Sequence, residues 1–263
     1  MLLEGKYVVI SGIGPGLGMK LTLHAAIEGA AGVAISARSP DRLDEAERRI
    51  GEAGAGARIV KHVTDITEEA QCRAFAQAAI ERFGRIDALV NNAYYHGPMG
   101  AQIQSSDFAD WYKQFETNVI GTIKMTRAVL PQMRAQGGGA IVMISTMGTK
   151  MVPMEDEGGY AASKAALYNA SRKLAAEVGP DGIRVNSLHP GWMWGDPVRG
   201  ALAMDRERWG TEEEAYAKVA SHHALRRIAT DDECARAALF LASDYASAIT
   251  GASLDANAGG FMP

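Results

Sequence analysis

The chain has 263 residues, 47% of them hydrophobic and 22% charged, with a formal net charge of −4. That balance is ordinary for a globular protein, and the acidic surplus excludes a dedicated nucleic-acid surface. Two cysteines, Cys72 and Cys234, lie too far apart for a metal pattern or a disulfide framework, and no stretch approaches the ~20 apolar residues that span a bilayer.

Seven apolar, β-rich runs recur in chain order: "KYVVIS" (6–11), "GVAISA" (32–37), "ARIVKHV" (57–63), "DALVN" (87–91), "AIVMIS" (140–145), "IRVNSL" (183–188) and "ASLDA" (252–256). Helical segments separate them. "MKLTLHAAIEGA" follows the first run. "PDRLDEAERRIGEA" follows the second, with Ser39 expected at the N-cap and Pro40 at the first helical position. "TEEAQCRAFAQAAIERFG" follows the third, with Thr67 as the expected cap and Gly84 as the stop. A long helix is expected from about Ser106 to Gln136, and another around Tyr160 ending near Gly179. Glu212, Glu213 and Glu214 suit a helix's first turn.

Strands alternating with helices predict an α/β, Rossmann-like fold, a doubly wound and mostly parallel seven-stranded sheet with helices on both faces. No Ser/Pro/Gly-rich linker divides residues 1–263, so one domain is expected. The segment 191–223 breaks the rhythm and is rich in Trp, Met and charge.

The first strand runs into "SGIGPGLG", with Gly12, Gly14, Gly16 and Gly18. Glycines there let the backbone turn tightly and approach a phosphate, and the next helix offers free N–H groups to an anion. At the end of the second strand the chain reads Ala37, Arg38, Ser39, with no acid for a ribose 2′-hydroxyl. Arg38 points to NADP(H), with NAD(H) as the alternative. "NNA" (Asn91, Asn92, Ala93) ends the fourth strand and Ser145 ends the fifth. Asn118 lies on the long fourth helix. Tyr160 and Lys164, four residues apart, share a helix face. A nearby cation favours a phenolate over a phenol.

Together these motifs resemble the short-chain dehydrogenase/reductase family over essentially the whole chain, from "KYVVISGIGPGLG" to "ITGASLDANAGGF". The resemblance implies a catalytic tetrad. Tyr160 is its general acid/base, Ser145 polarises the substrate oxygen, Lys164 binds the nicotinamide ribose and lowers the Tyr160 pKa, and Asn118 holds a helix irregularity. It places cofactor contacts on Gly12, Gly14, Gly16, Leu17, Gly18, Arg38, Asp65, Asn91, Ala93, Tyr160, Lys164, Pro190, Gly191 and Met193. Three departures stand out: Tyr94 in place of a glycine after "NNA", Pro15 where NADP-using members often carry a basic residue, and Gly195 where a threonine often holds the nicotinamide amide.

The resemblance also implies a substrate lid at about 191–223. Tyr94, His96, Met147, Trp192 and Trp194 are the expected substrate contacts, with Tyr95, Met151, Met154, Met204 and Trp209 as further apolar candidates. The expected activity is NADP(H)-dependent interconversion of a secondary alcohol and a ketone, with a bulky apolar or aromatic substrate. Rival readings are an NAD(H)-dependent alcohol dehydrogenase, a non-catalytic dinucleotide-binding redox sensor, and an eliminating or epimerising relative. Expected partners are small molecules and further copies of the chain, as a homotetramer or dimer, in the cytoplasm. No metal, nucleic acid or membrane is expected.

Overall fold

The computed structural model describes residues 1–98, 102–152, 157–204 and 206–263. Seven strands form the main sheet: β1 (Tyr7–Ser11), β2 (Gly32–Ala37), β3 (Arg58–Val63), β4 (Ala88–Asn91), β5 (Gly139–Ile144), β6 (Ile183–Pro190) and, at the far edge, β9 (Ser253–Ala256). Their order is β3-β2-β1-β4-β5-β6-β9, and every pairing is parallel. Parallel strands need long crossovers, and here helices supply them.

Alternate residues of each strand feed opposite cores. Val8 and Ile10 pack with α1 (Leu17–Ile27), α2 (Pro40–Glu52) and α10 (Asp231–Ala242). Val9 packs with α3 (Glu69–Phe83), α5 (Thr122–Ala135) and α6 (Gly158–Val178). Burial on both faces explains why β1, β2 and β4 read as nearly unbroken apolar runs.

Several expectations need correction. Glu68, not Thr67, caps α3. Asp65 Oδ1 accepts from both the amide and the hydroxyl of Thr67, 2.9 and 2.8 Å away, so that hydroxyl is spent in the preceding turn. Ser39 occupies the N-cap of α2 but its side chain makes no capping bond, leaving Pro40 to start the helix. The long fourth helix is three pieces: α4 (Phe108–Phe115), a π-helical turn (Glu116–Gly121) and α5. Gly84 does stop α3, at φ 81°.

The segment after β6 carries β7 (Met193–Trp194), α7 (Asp196–Met204), α8 (Arg206–Trp209) and α9 (Glu212–Ala220). β7 pairs in parallel with β8 (Ala229–Thr230), a second small sheet the sequence did not announce. Two residues per strand are too few for a periodic signal. Among the described residues no helix is long and apolar enough to cross a membrane.

The turn after β1 is tightly packed. Gly12 has φ +86°, and a side chain there would collide with the Ala93 backbone. A Cβ on Gly18 would sit 2.5 Å from the Gly12 carbonyl, whereas one on Gly14 would meet nothing within 4 Å. Gly18→Ala is therefore expected to destabilise the protein by ~1–3 kcal/mol in urea unfolding, as overpacking does. Gly14→Ala should unfold like the parent and weaken only dinucleotide binding. Equal unfolding midpoints for Gly18→Ala and the parent would contradict this account.

Candidate active site

The strand order reverses between β1 and β4, and a crevice opens at their carboxyl ends. One cleft there is lined by Gly12, Gly14, Arg38, Asp65, Ala93 and Tyr94. A second hollow lies at the opposite ends of the strands, beside Lys6, Arg85 and Asp244, but Lys6 and Arg85 are each paired with an aspartate, Asp244 and Asp87.

α1 begins behind the cleft with Gly16 at its N-cap and no side-chain capping bond. Its first amides and the open face of Gly14 form a cradle for an anion. Leu17 contributes only its backbone, since its side chain is buried in the core. Asn92 Nδ2 donates to the Gly12 carbonyl at 2.6 Å and ties the β4 loop to the cradle. Asn91 turns the other way. Its Nδ2 donates to Thr126 Oγ1 at 2.9 Å, so its side chain belongs to the interior and any ligand contact runs through its main chain.

The reacting end is built by β5, α6 and the π turn. Ser145 follows β5, and its buried Oγ has no hydrogen-bond partner among the described residues. Lys164 is 2% exposed, and its Nζ donates to the Ile144 carbonyl at 2.7 Å. That nitrogen lies 5.9 Å from the centre of the Tyr160 ring and 5.7 Å from that of Tyr94. The π turn aims Asn118 inward. Its Oδ1 accepts from Tyr95 N at 2.8 Å, and its Nδ2 donates to Tyr95 O and to Ser163 Oγ, both at 2.9 Å. Ser163 Oγ donates onward to the Tyr160 carbonyl at 2.7 Å. Asn118 thus braces both the β4 loop and the catalytic helix. Ser163 in this relay was not anticipated, because a small serine between Ala162 and Lys164 reads as helix filler.

Electrostatics differ from the sequence expectation. Burial, with Tyr94 and Glu157 adding to it, pushes the Tyr160 phenol well above its usual range. Burial also pushes the Lys164 ammonium down to about 7. The lysine is spent on a backbone carbonyl and its charge is weakened, so it does not lower the tyrosine here. The phenol is therefore held protonated, and its raised pKa makes it a weaker acid than a free phenol.

Other predicted residues scatter. The His96 ring stacks 4.7 Å from the Tyr160 ring, and the Tyr94 ring lies 6.0 Å from it. Met147 opens the turn after Ser145, and a Cβ on Gly191 would meet its sulfur at 2.9 Å. Pro190 ends β6 and Met193 lies in β7. Trp192 packs on Trp209 at 5.4 Å, and Trp194 meets Tyr216 edge-on at 4.7 Å, which makes Trp194 an anchor for α9. Tyr95 turns away, its hydroxyl donating to Asp110 at 3.2 Å. Met204 is 89% exposed. Met154 lies outside the described residues. Among the described residues no cluster of three His, Cys, Asp or Glu could hold a metal.

The sequence model of a family described as "Enoyl-(Acyl carrier protein) reductase" matches residues 12–260. A 7alpha-hydroxysteroid dehydrogenase of Escherichia coli (strain K12) is 32% identical over 260 residues, covering 98% of this chain and 95% of that protein. A solved 7 alpha-hydroxysteroid dehydrogenase complexed with NADH and 7-oxo glycochenodeoxycholic acid superposes with TM-score 0.86 at 31% identity, covering 99% and 96% of the two chains. L-sorbose reductase from Gluconobacter frateurii, complexed with NADPH and L-sorbose, superposes with TM-score 0.89 at 31% identity, covering 98% and 97%. With this sheet, the glycine turn after β1 and Ser145, Tyr160, Lys164 and Asn118 in place, the chain belongs to the short-chain dehydrogenase/reductase family. It is an NAD(P)-dependent oxidoreductase that acts on CH–OH groups.

Lys164 carries its charge below a pKa of about 7 and loses it above. Dinucleotide affinity should therefore weaken as pH rises through that value, read by calorimetric titration without substrate. Lys164→Met should flatten this dependence. Tyr160→Phe should keep it and lose turnover by ~10²–10⁴-fold. A wild-type affinity constant across that range would contradict the assignment.

Proposed function

We propose that this chain interconverts bulky apolar ketones and secondary alcohols with NADP(H), the residues 1–263 acting as one catalytic domain under a lid at about 191–223. The observation that carries the reaction is the unpartnered Ser145 hydroxyl, buried at the end of β5 beside the Lys164 and Tyr160 pair. A hydroxyl without a partner in the protein is set to donate to a substrate oxygen. A purely binding role leaves both it and the Tyr160 phenol without use.

The bound nicotinamide would supply or accept the hydride. The chain's own part is the proton and the geometry. Ser145 fixes the carbonyl oxygen, Tyr160 gives it a proton during reduction or takes one during oxidation, and Lys164 reaches the ribose side of the ring. Asn118 and Ser163 hold Tyr160 on its helix. Glycines of the first turn and the α1 amides would receive the diphosphate.

Arg38 supports NADP(H). It is exposed on the cleft, no carboxylate pairs with it among the described residues, and Ala37 leaves no acid for a 2′-hydroxyl. The relatives bind either cofactor, NADPH in L-sorbose reductase and NADH in the hydroxysteroid enzyme. Trp192 packed on Trp209, with Met147 below, supports an apolar substrate, since such walls favour apolar ligands. The hydroxysteroid relative takes a substrate of that kind and the sorbose relative a small polar one, so size discriminates between them. Exposed Phe108, Tyr112 and Ile120 on the α4 side support self-assembly as a tetramer or dimer. We place the protein in the cytoplasm on its few, buried, unpaired cysteines.

The test is purified enzyme with a size-graded ketone series and both reduced nicotinamides. Bulky apolar ketones should give the highest kcat/KM, and Trp192→Ala should shift the optimum in size. Small polar carbonyls winning, or an unmoved optimum, would reject the pocket. Separately, Arg38→Ala should reduce the NADPH-to-NADH efficiency ratio by ~10-fold or more, the scale of a lost charge-assisted bond. An NADH preference in the parent, or an unchanged ratio, would sink the cofactor assignment.

A further inference from the structure

Asp231 is the first residue of α10, yet it does not cap it. Thr230 Oγ1 accepts from Glu233 N, and the Glu233 carboxylate accepts from Thr230 N at 2.9 Å. Asp231 is only 5% exposed, and no hydrogen bond or ion pair reaches its carboxyl among the described residues. Lys20 on α1 faces it, but that ammonium sits on Asp232 at 2.9 Å, and His24 takes the other Asp232 oxygen at 2.7 Å. Asp232 and Asp196 add negative charge around it. Burial and these neighbours raise it to about 6 against the pull of Lys20. An unpaired buried carboxylate is costly, so a donor is missing from its surroundings.

Its location says which donor. The β7–β8 pairing brings Thr230 beside Trp194, and so sets Asp231 against Gly195. A Cβ on Gly195 would fall within the Asp231 carboxyl, 2.6 Å from its carbon. The carboxyl therefore fills the space of a side chain at position 195. On its other flank, a Cβ on Gly16 would lie 3.3 Å from Asp231 Oδ2, and Gly16 opens the anion cradle of α1. Its charge also raises the Tyr94 phenol, second to burial, and the Tyr94 ring neighbours that of Tyr160. Asp231 thus lies against the first residue of the anion cradle and within electrostatic reach of Tyr94, whose ring neighbours Tyr160.

A carboxylate can only accept. Beside a phosphate site it repels unless the ligand brings a donor, and the nicotinamide carboxamide carries two N–H donors. We propose that Asp231 is a cofactor-binding residue whose carboxylate takes the place of a side chain at Gly195 and accepts a hydrogen bond from the bound nicotinamide carboxamide. The inference rests on the reading of this site as a nicotinamide site.

The experiment compares an oxidised nicotinamide dinucleotide with its 3-acetylpyridine analogue, which has a methyl ketone in place of the amide. Dissociation constants are read by calorimetry, without substrate, for both NADP⁺ and NAD⁺. Well above the Asp231 pKa the wild type should bind the amide ~10–100-fold more tightly, the range of one hydrogen bond to a charged group. That preference should shrink as pH falls through about 6, where the carboxylate takes up a proton. Asp231→Ala should abolish it, and Asp231→Asn, which keeps an acceptor of the same shape, should retain part of it. Equal wild-type binding of amide and ketone overturns the proposal whether or not the variants fold. So does a folded Asp231→Ala that keeps the preference. A wild type that binds neither NADP⁺ nor NAD⁺ overturns the underlying nicotinamide reading instead.

Discussion

Everything at this site follows from a parallel sheet whose strand order reverses between β1 and β4. Neighbouring crossovers on either side of that point leave in opposite directions, so no helix can cover the carboxyl ends there. The gap has to be closed from below by contact between the two strand ends. Gly12 and Gly18 allow this because neither has a Cβ to collide with Ala93 or with the turn itself. The Asn92 amide then locks the two loops together. The floor of the cleft is therefore a backbone surface, which is what a diphosphate can approach.

The reacting end depends on a second constraint, the burial of a cation. Lys164 is almost inaccessible and is held by one carbonyl at the end of β5. That bond fixes α6 to the strand that carries Ser145, so hydroxyl, ammonium and phenol stay together. Burial also sets the chemistry. It holds the phenol above its usual range and brings the lysine down to about 7. Across the cleft the π turn directs Asn118 to the β4 loop and to Ser163, which makes one polar network out of three elements distant in sequence.

The segment after β6 carries its own small sheet. Its position is set by the short β7–β8 ladder and by the Trp194–Tyr216 contact. The same ladder delivers Asp231 to the space above Gly195. What reads along the chain as a missing side chain is, in space, one supplied from a different helix.

Periodicity and composition determined much of this protein. The seven strands, the glycine turn and the Tyr160–Lys164 pair were legible because each is a local pattern, set by burial on both faces, by φ freedom or by helical spacing. Arg38 was legible for the same reason, through its place at a strand end. The π turn, the Thr67 hydroxyl spent on Asp65 and the short β7–β8 ladder were not, since they depend on partners or on runs too brief to show a period. Asn91 looked like a cleft residue until packing turned its side chain inward, and Met204 looked like a pocket wall until the helix faced it to solvent. The sequence could not show that burial opposes the expected lowering of the Tyr160 pKa by Lys164, because desolvation is a property of the whole surrounding protein. Asp231 carried no signal at all. An acid in the first turn of a helix reads as an ordinary dipole partner, and only the tertiary structure shows its neighbours bonded to one another and its own carboxylate set against Gly195.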